Sequence, residues 1–192
     1  MNRPYVVDLM GGLSNQGFKL NAEVDAFYKE YMADETIRCK NIDYTNYEEG
    51  IYVGYRYFNS FAPKAVAYPF GFGLSYTSFD FKGMKVEEAE GGWNVKVNVV
   101  NTGKVAGKDV VQVYVKAPKG ELDKPERELK GFAKTSELAP GESCEVCIFV
   151  SRESLASYNE AISAWQIDKG TYTFVAAQDS MDNSVKVKVK LD

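Results

Sequence analysis

Histidine is absent from this chain of 192 residues. Without it, a Ser-His-Asp or Cys-His nucleophilic arrangement is impossible. Cysteine is scarce. Cys39, Cys144 and Cys147 make an odd count, so at least one thiol stays unpaired within the chain, and no disulfide framework is implied. No run of about twenty apolar residues occurs, so no transmembrane helix is expected. The first residues, Met1-Asn2-Arg3-Pro4-Tyr5, lack the basic start and continuous apolar stretch of a secretory signal, and a cytoplasmic location is expected. A positive excess is missing too. Lysine and arginine total 23 against 27 acidic residues, a net charge of -4. That balance argues against a nucleic-acid partner, because a phosphate backbone needs clustered basic side chains. What abounds is aromatic character, with 13 tyrosines and 11 phenylalanines. The length suits one large domain, or one standard domain with an appendage.

Two periodicities divide the chain. Residues 1–60 read as helical. Val6, Leu9, Met10 and Leu13 fall at i, i+3, i+4 and i+7, with Pro4 suited to a first turn and Gly17 to a stop. A second helix is predicted from the N-cap Asn21, with Val24, Phe27, Tyr28 and Tyr31 on its apolar face. A third starts near Thr45 or Asn46. There Thr45 and Glu48 match a capping box, and Tyr47, Ile51, Tyr55 and Phe58 form one stripe.

From Phe79 the period falls to two. Strands are predicted at Phe79–Glu87, Trp93–Val100, Asp109–Ala117, Glu128–Lys134, Ser143–Val150, Ala164–Asp168, Gly170–Ala177 and Ser184–Leu191. Trp93, Val95, Val97 and Val99 alternate with polar residues. Val111, Val113 and Val115 alternate with Gln112, Tyr114 and Lys116, and Val185, Val187 and Val189 with lysines. Such alternation predicts one buried and one wet face per strand. Turn residues separate the runs at Gly91-Gly92, Asn101-Thr102-Gly103, Ala139-Pro140-Gly141 and Asp182-Asn183. The expectation is a mainly β fold, an antiparallel β-sandwich of immunoglobulin or fibronectin type III shape, with an N-terminal helical flank. The lysines of the last strand would guard an exposed edge.

Several segments in series carry a resemblance. They are Tyr68-Pro69-Phe70-Gly71-Phe72-Gly73-Leu74-Ser75-Tyr76-Thr77, Val99-Val100-Asn101-Thr102-Gly103-Lys104-Val105-Ala106-Gly107, Val110-Val111-Gln112-Val113-Tyr114-Val115, Arg127-Glu128-Leu129-Lys130-Gly131-Phe132 and Leu138-Ala139-Pro140-Gly141-Glu142. In this order they resemble the fibronectin type III-like domain of glycoside hydrolase family 3, the β-glucosidase type of carbohydrate metabolism. Tyr47–Phe58 is similar to the last helix of that family's α/β-sandwich domain. Arg3–Leu9 and Gly17–Asn21 look like the early part of that domain in circularly permuted members. The resemblance therefore implies a helical segment over 1–43 that is part of a truncated sandwich domain. It implies that domain's last helix and an aromatic linker over 44–78, and the fibronectin type III-like sandwich over 79–192.

The resemblance also implies what a catalyst would need. A retaining glycosidase uses two carboxyl groups about 5 Å apart. The family places its nucleophilic aspartate beside a tryptophan on a barrel, and no Asp-Trp or Glu-Trp pair occurs here. Its sugar-gripping Lys-His pair needs a histidine. Its acid/base glutamate lies in the part of the sandwich domain that has no counterpart here. No catalytic, cofactor-binding or metal-binding residue is therefore assigned, and no cofactor is expected. Cys144 and Cys147 have C-x-x-C spacing, but residues three apart on a strand point to opposite faces. Glu48-Glu49 and Glu87-Glu88 read as cap and solvated surface. Gly71-Phe72-Gly73 lacks the glycine and lysine of a phosphate loop and reads as a tight turn. The aromatics from Tyr44 to Phe81 read chiefly as packing between helix, linker and sandwich, with a carbohydrate-stacking platform as the alternative. A bare aromatic flank forfeits roughly 1.5–3 kcal/mol per large side chain. It would therefore call for a cover: the N-terminal residues, a second copy, or a catalytic barrel domain or chain. The expected role is a non-catalytic accessory portion of such a hydrolase. A free-standing interaction module, homodimeric through the aromatic flank, or a carbohydrate-binding module are the alternatives.

Overall fold

A computed structural model describes residues 49–192, which form one compact unit. The helices expected from Pro4 and Asn21, the Thr45–Glu48 capping box, Cys39, Tyr44 and Tyr47 lie outside the described residues.

Among the described residues, nine strands follow one short α-helix, α1 (Tyr55–Phe61): β1 (Phe79–Ala89), β2 (Gly92–Asn101), β3 (Val110–Lys116), β4 (Glu128–Lys134), β5 (Ser143–Ser151), β6 (Ser157–Asn159), β7 (Ala164–Gln166), β8 (Gly170–Ala177) and β9 (Val185–Leu191). One sheet has the order β1-β2-β5 and the other β4-β3-β8-β9, with every pair antiparallel. The mainly β, antiparallel sandwich expected from the sequence is borne out. Only β6 had no predicted counterpart. Three residues between turns are too few to show a period, and the strand exists by pairing with β7.

The inner faces supply the core. Trp93, Val95, Val97 and Val99 of β2 pack against Val111, Val113 and Val115 of β3 and Tyr172, Phe174 and Ala176 of β8. The Trp93 and Phe174 rings lie 5.9 Å apart. Along β1 the inward set changes phase. Phe79 and Phe81 face the core before a register shift between Phe81 and Gly83, and Met84 and Val86 face it after. The bulge inserts one residue, and one residue exchanges the two faces of a strand. A second shift, between Val113 and Tyr114 against β4, turns Leu129 outward while Ala133 still packs inward.

Asn101 explains the Asn-Thr-Gly segment. Its buried amide donates to the carbonyls of Val105 (2.9 Å) and Leu138 (2.8 Å), and its Oδ1 accepts from Thr77 Oγ1 (2.7 Å) and Gly103 N–H (3.0 Å). Four bonds satisfy the buried amide fully and tie three loops to the end of β2.

Two expectations are corrected. First, the outer face of β3 is not wet along its length, and of its residues only the last, Lys116, is exposed. Gln112 and Tyr114 are buried along with the valines between them, and on β8 Val175 and Ala177 are buried beside the inward residues. Alternation marks two faces but cannot reveal a second cover on the outer one. Second, the third helix is shorter than its stripe. Gly54, at φ 59°, precedes a helix of seven residues, so Ile51 and Tyr52 lie before it. A left-handed residue ends any right-handed helical run.

The β3–β4 connection is pinned by Lys124, whose ammonium bonds Asp168 Oδ2, while Gln166 Nε2 donates to Asp168 Oδ1 at 3.0 Å. Both charged side chains are largely buried. The Lys124 hydrogen bond holds the Asp168 carboxyl below its ordinary value against the opposing effect of desolvation, with Gln166 assisting. A depressed native value stabilises the fold above the unfolded-chain value, and that stabilisation is lost as pH falls through the native one. Asp168→Asn is thus expected to cost about 1–3 kcal/mol at neutral pH. The gap from the parent protein should narrow below about pH 4, where an unfolded aspartate takes up its proton. Urea unfolding at several pH values checks both.

Candidate functional site

The outer face of the β4-β3-β8-β9 sheet is where the chain departs from a plain sandwich. α1 and the strap that follows it, residues 62–78, lie across this face. Tyr55 is the keystone. Its ring stacks on Phe70 (5.3 Å) and meets Tyr114 edge-on (5.7 Å), and its hydroxyl accepts from Leu129 N–H at 2.9 Å. The strap is held further along by Ser180 N–H donating to the Phe70 carbonyl (2.8 Å) and by Asn59 Nδ2 donating to the Ser180 carbonyl (2.7 Å). Gly71 sits at φ 93°, and a Cβ there would fall 2.2 Å from Gln112 Nε2. The tight turn read into Gly71-Phe72-Gly73 is therefore required at Gly71. Gly73 has open space around it.

Beneath the strap lies a polar chain. Tyr114 donates its hydroxyl hydrogen to Gln112 Oε1 (2.7 Å), and Gln112 Nε2 donates to the Gln178 carbonyl (2.6 Å). Arg127, only 5% exposed, places its guanidinium 5.3 Å from the Tyr114 ring centroid. It donates to the Asp182 carbonyl at 2.5 Å and to Asn183 Oδ1 at 3.4 Å. Among the described residues no carboxylate forms an ion pair with it. Burial pushes the Arg127 pKa down, opposed by Tyr114 and the nearby acids. Burial likewise raises the Tyr114 phenol, helped by Tyr55. Both groups hold their ordinary charge at neutral pH, and their chemistry is recognition and packing.

Outside this contact layer the flank is bare. Leu74 is 94% and Tyr76 98% exposed, and Tyr57, Phe58, Phe61, Tyr68, Phe70 and Phe72 also stand in solvent. The packing read into the Tyr44–Phe81 aromatics is thus half realised. Phe79 is in the core, Phe81 packs against it, and Tyr55 is wedged on the sheet with Phe70 stacked on it, while Tyr52, Tyr57, Phe58, Phe61, Tyr68 and Phe72 meet one another and Tyr76 stands in solvent. Their rings meet at tilted or edge-on angles of 47–86° and do not line up as a flat sugar-stacking surface.

The remaining motifs resolve simply. Cys144 lies on the half-buried inner row of β5 and Cys147 on its exposed row, on opposite faces, and both are free thiols. Glu87 pairs with Lys96 at 2.6 Å across β1 and β2, and Glu88 is exposed. Glu48 lies outside the described residues. Among the described residues no group of three or more Cys, Asp or Glu side chains could hold a metal ion, and no helix is long and apolar enough to cross a membrane. Among the described residues, the carboxylates that their surroundings shift, Glu87 and Asp168, both move down, through their lysine partners first. A glycosidic general acid needs the reverse. Arg127 is the side chain that sequence reading passed over. Its charge sits in an otherwise ordinary strand-entry segment, and nothing in the spacing announces that tertiary structure will bury it.

Comparison with known proteins follows the same lines. Residues 109–180 match the fibronectin type III-like domain. The chain is 40% identical to a β-glucosidase of Ruminococcus albus over 89% of its own length and 18% of that protein's. It is 39% identical to an exo-α-(1→6)-L-arabinopyranosidase of Bifidobacterium longum over 78% of its length and 20% of that protein's. Among solved structures, β-glucosidase 3B of Thermotoga neapolitana in complex with glucose superposes with a TM-score of 0.68 at 44% identity, covering 75% of this chain and 20% of that one. The chain spans about a fifth of the length of the relatives it matches. The resemblance to family 3 glycoside hydrolases is borne out for their fibronectin type III-like part.

Proposed function

We propose that this chain, which matches the fibronectin type III-like part of family 3 β-glucosidases, is a non-catalytic accessory portion of such a hydrolase. One observation carries the reading: residues 109–180 match the fibronectin type III-like domain and lie within the β-sandwich. The described carboxylates fit this, since those with displaced pKa values are held charged by lysines. The bare strap supplies the physical role. A rigid sandwich presents Tyr57, Phe58, Phe61, Phe72, Leu74 and Tyr76, and a catalytic barrel domain or chain is the partner that would cover them. An alignment covering 89% of the chain must enter residues 1–48, because 49–192 are 144 of 192, or three quarters. That supports reading the N-terminal segment as part of the truncated sandwich domain.

The exposed flank also favours a second reading, a homodimer joined through it. Both are tested on one preparation. The purified chain is expected to leave an aryl β-glucoside intact, and a monomer by light scattering speaks against the dimer. Turnover that survives repurification and disappears on replacing a carboxylate of this chain would overturn the accessory role.

A further inference from the structure

We propose that the groove between α1 and the outer face of β3, β8 and β9 binds a small anionic sugar, a hexose bearing a carboxylate or a phosphate. The groove, about 530 Å³ in volume, is lined by Asn59, Lys116, Arg127, Thr173, Lys186 and Lys188 among others. That volume falls within the range of small-molecule sites, roughly 300–1,000 Å³. Strand register sets the charges side by side. Lys116 of β3 stands opposite Thr173 of β8, and Thr173 opposite Lys188 of β9, so the three form one cross-strand row. Lys186 stands opposite Val175 in the next outward-facing row. Adjacent members of such a row have Cβ atoms about 4.5–5.5 Å apart, so the two lysines of the row flank Thr173 at a spacing one ligand can bridge.

The charge is not balanced from within. Among the described residues four cations line the groove, and Glu126, the one acidic residue of that lining, already pairs with Lys116 at 2.5 Å. Edge protection accounts for lysines on β9. It does not account for Arg127, which lines the same groove, is buried, and is bonded only to neutral oxygens among the described residues. Burying a guanidinium is costly; Asp182, Asp179 and Glu126 oppose that cost through space, but none pairs with it among the described residues, and an anion seated in the groove offsets more of it. The neutral groups point to more than a bare ion. Thr173 brings a hydroxyl. Asn59 Nδ2 is spent on the Ser180 carbonyl, while its Oδ1 is buried with no partner among the described residues. Satisfying an orphan acceptor takes a donor, and a sugar hydroxyl supplies one on the same molecule as the charge. This site lies on the sandwich itself and is independent of whether the chain serves a hydrolase.

The test is amide-shift titration of the full chain by NMR at low salt, with D-glucuronate, glucose 6-phosphate, D-glucose and inorganic phosphate in separate arms. At least one of the two anionic sugars should give saturable shifts centred on Lys116, Thr173, Lys186 and Lys188, and which one does so identifies the anion. Its dissociation constant should lie below those of glucose and phosphate by about tenfold or more, and rise with added salt. Lys188→Glu, an exposed substitution that spares the fold, should weaken that binding by about tenfold. Three results would each overturn the proposal: no saturable shift from either anionic sugar, equal binding of inorganic phosphate, or unchanged affinity in the Lys188→Glu protein.

Discussion

Replacing Trp93 with alanine is expected to remove about 3–5 kcal/mol of stability, the usual cost of deleting a large aromatic from a close-packed core. Trp93 is 4% exposed, at the start of β2, and its ring packs against Phe174 of the opposite sheet. It thus joins the two sheets at one end of the sandwich. Arg152 lies over the same ring at 6.0 Å from its centroid, so truncation also strips the cation of an aromatic partner. A domain of this kind holds about 5–15 kcal/mol in all, so the variant should be marginal. Urea unfolding should show the midpoint falling steeply with little change in slope, which separates lost stability from a changed unfolded state. A loss below about 1 kcal/mol would mean that the two sheets are not held together at this position.

The second large effect is expected at Tyr55 and should be local. Tyr55→Ala removes the ring stacked on Phe70 and set against Tyr114, together with the acceptor for Leu129 N–H. The contact free energy lost, about 3–5 kcal/mol by analogy with other large-to-small changes, falls on α1 and the strap. The sandwich core does not contain this residue. Amide hydrogens of residues 55–72 should exchange far faster while those of β2 and β8 stay protected, and a protease should cut the strap first. Tyr55→Phe keeps the ring and loses only the hydroxyl, leaving Leu129 N–H without its acceptor at a cost of about 1–3 kcal/mol. If Tyr55→Ala left exchange in 55–72 unchanged, the strap would be anchored by its backbone bond at Ser180 and not by this side chain.

The two variants bracket how much was legible in the amino acids. Trp93 stands first in a run that alternates with Asn94, Lys96 and Asn98, and the inward row Trp93, Val95, Val97 and Val99 is buried as that pattern predicts. Strands of seven or more residues carry enough alternation to place their ends closely, as at Glu128–Lys134 and Gly170–Ala177. The local period places Tyr55 in a helical stripe with Tyr47, Ile51 and Phe58. The true reason for its position is Tyr114, 59 residues away, which no local period encodes. The groove was hidden for the same reason. Lys186 and Lys188 read as edge protection because the row that Lys188 shares with Lys116 and Thr173, and the next row that holds Lys186, exist only after the strands align.

From the amino acids alone came the two-sheet β architecture, the inward rows of its long strands, the family likeness, and the absence of any histidine-dependent chemistry. These follow from local period and composition, which neighbouring residues carry among themselves. Tertiary structure alone decided that much of the outer face of β3 and β8 would be covered, that the bulges at Phe81/Gly83 and Val113/Tyr114 would exchange inward for outward, and that Arg127 would be buried against the Tyr114 ring. Each of these depends on pairing between residues far apart in the chain, and a strand's alternation is the same whichever partner lies beside it or over it.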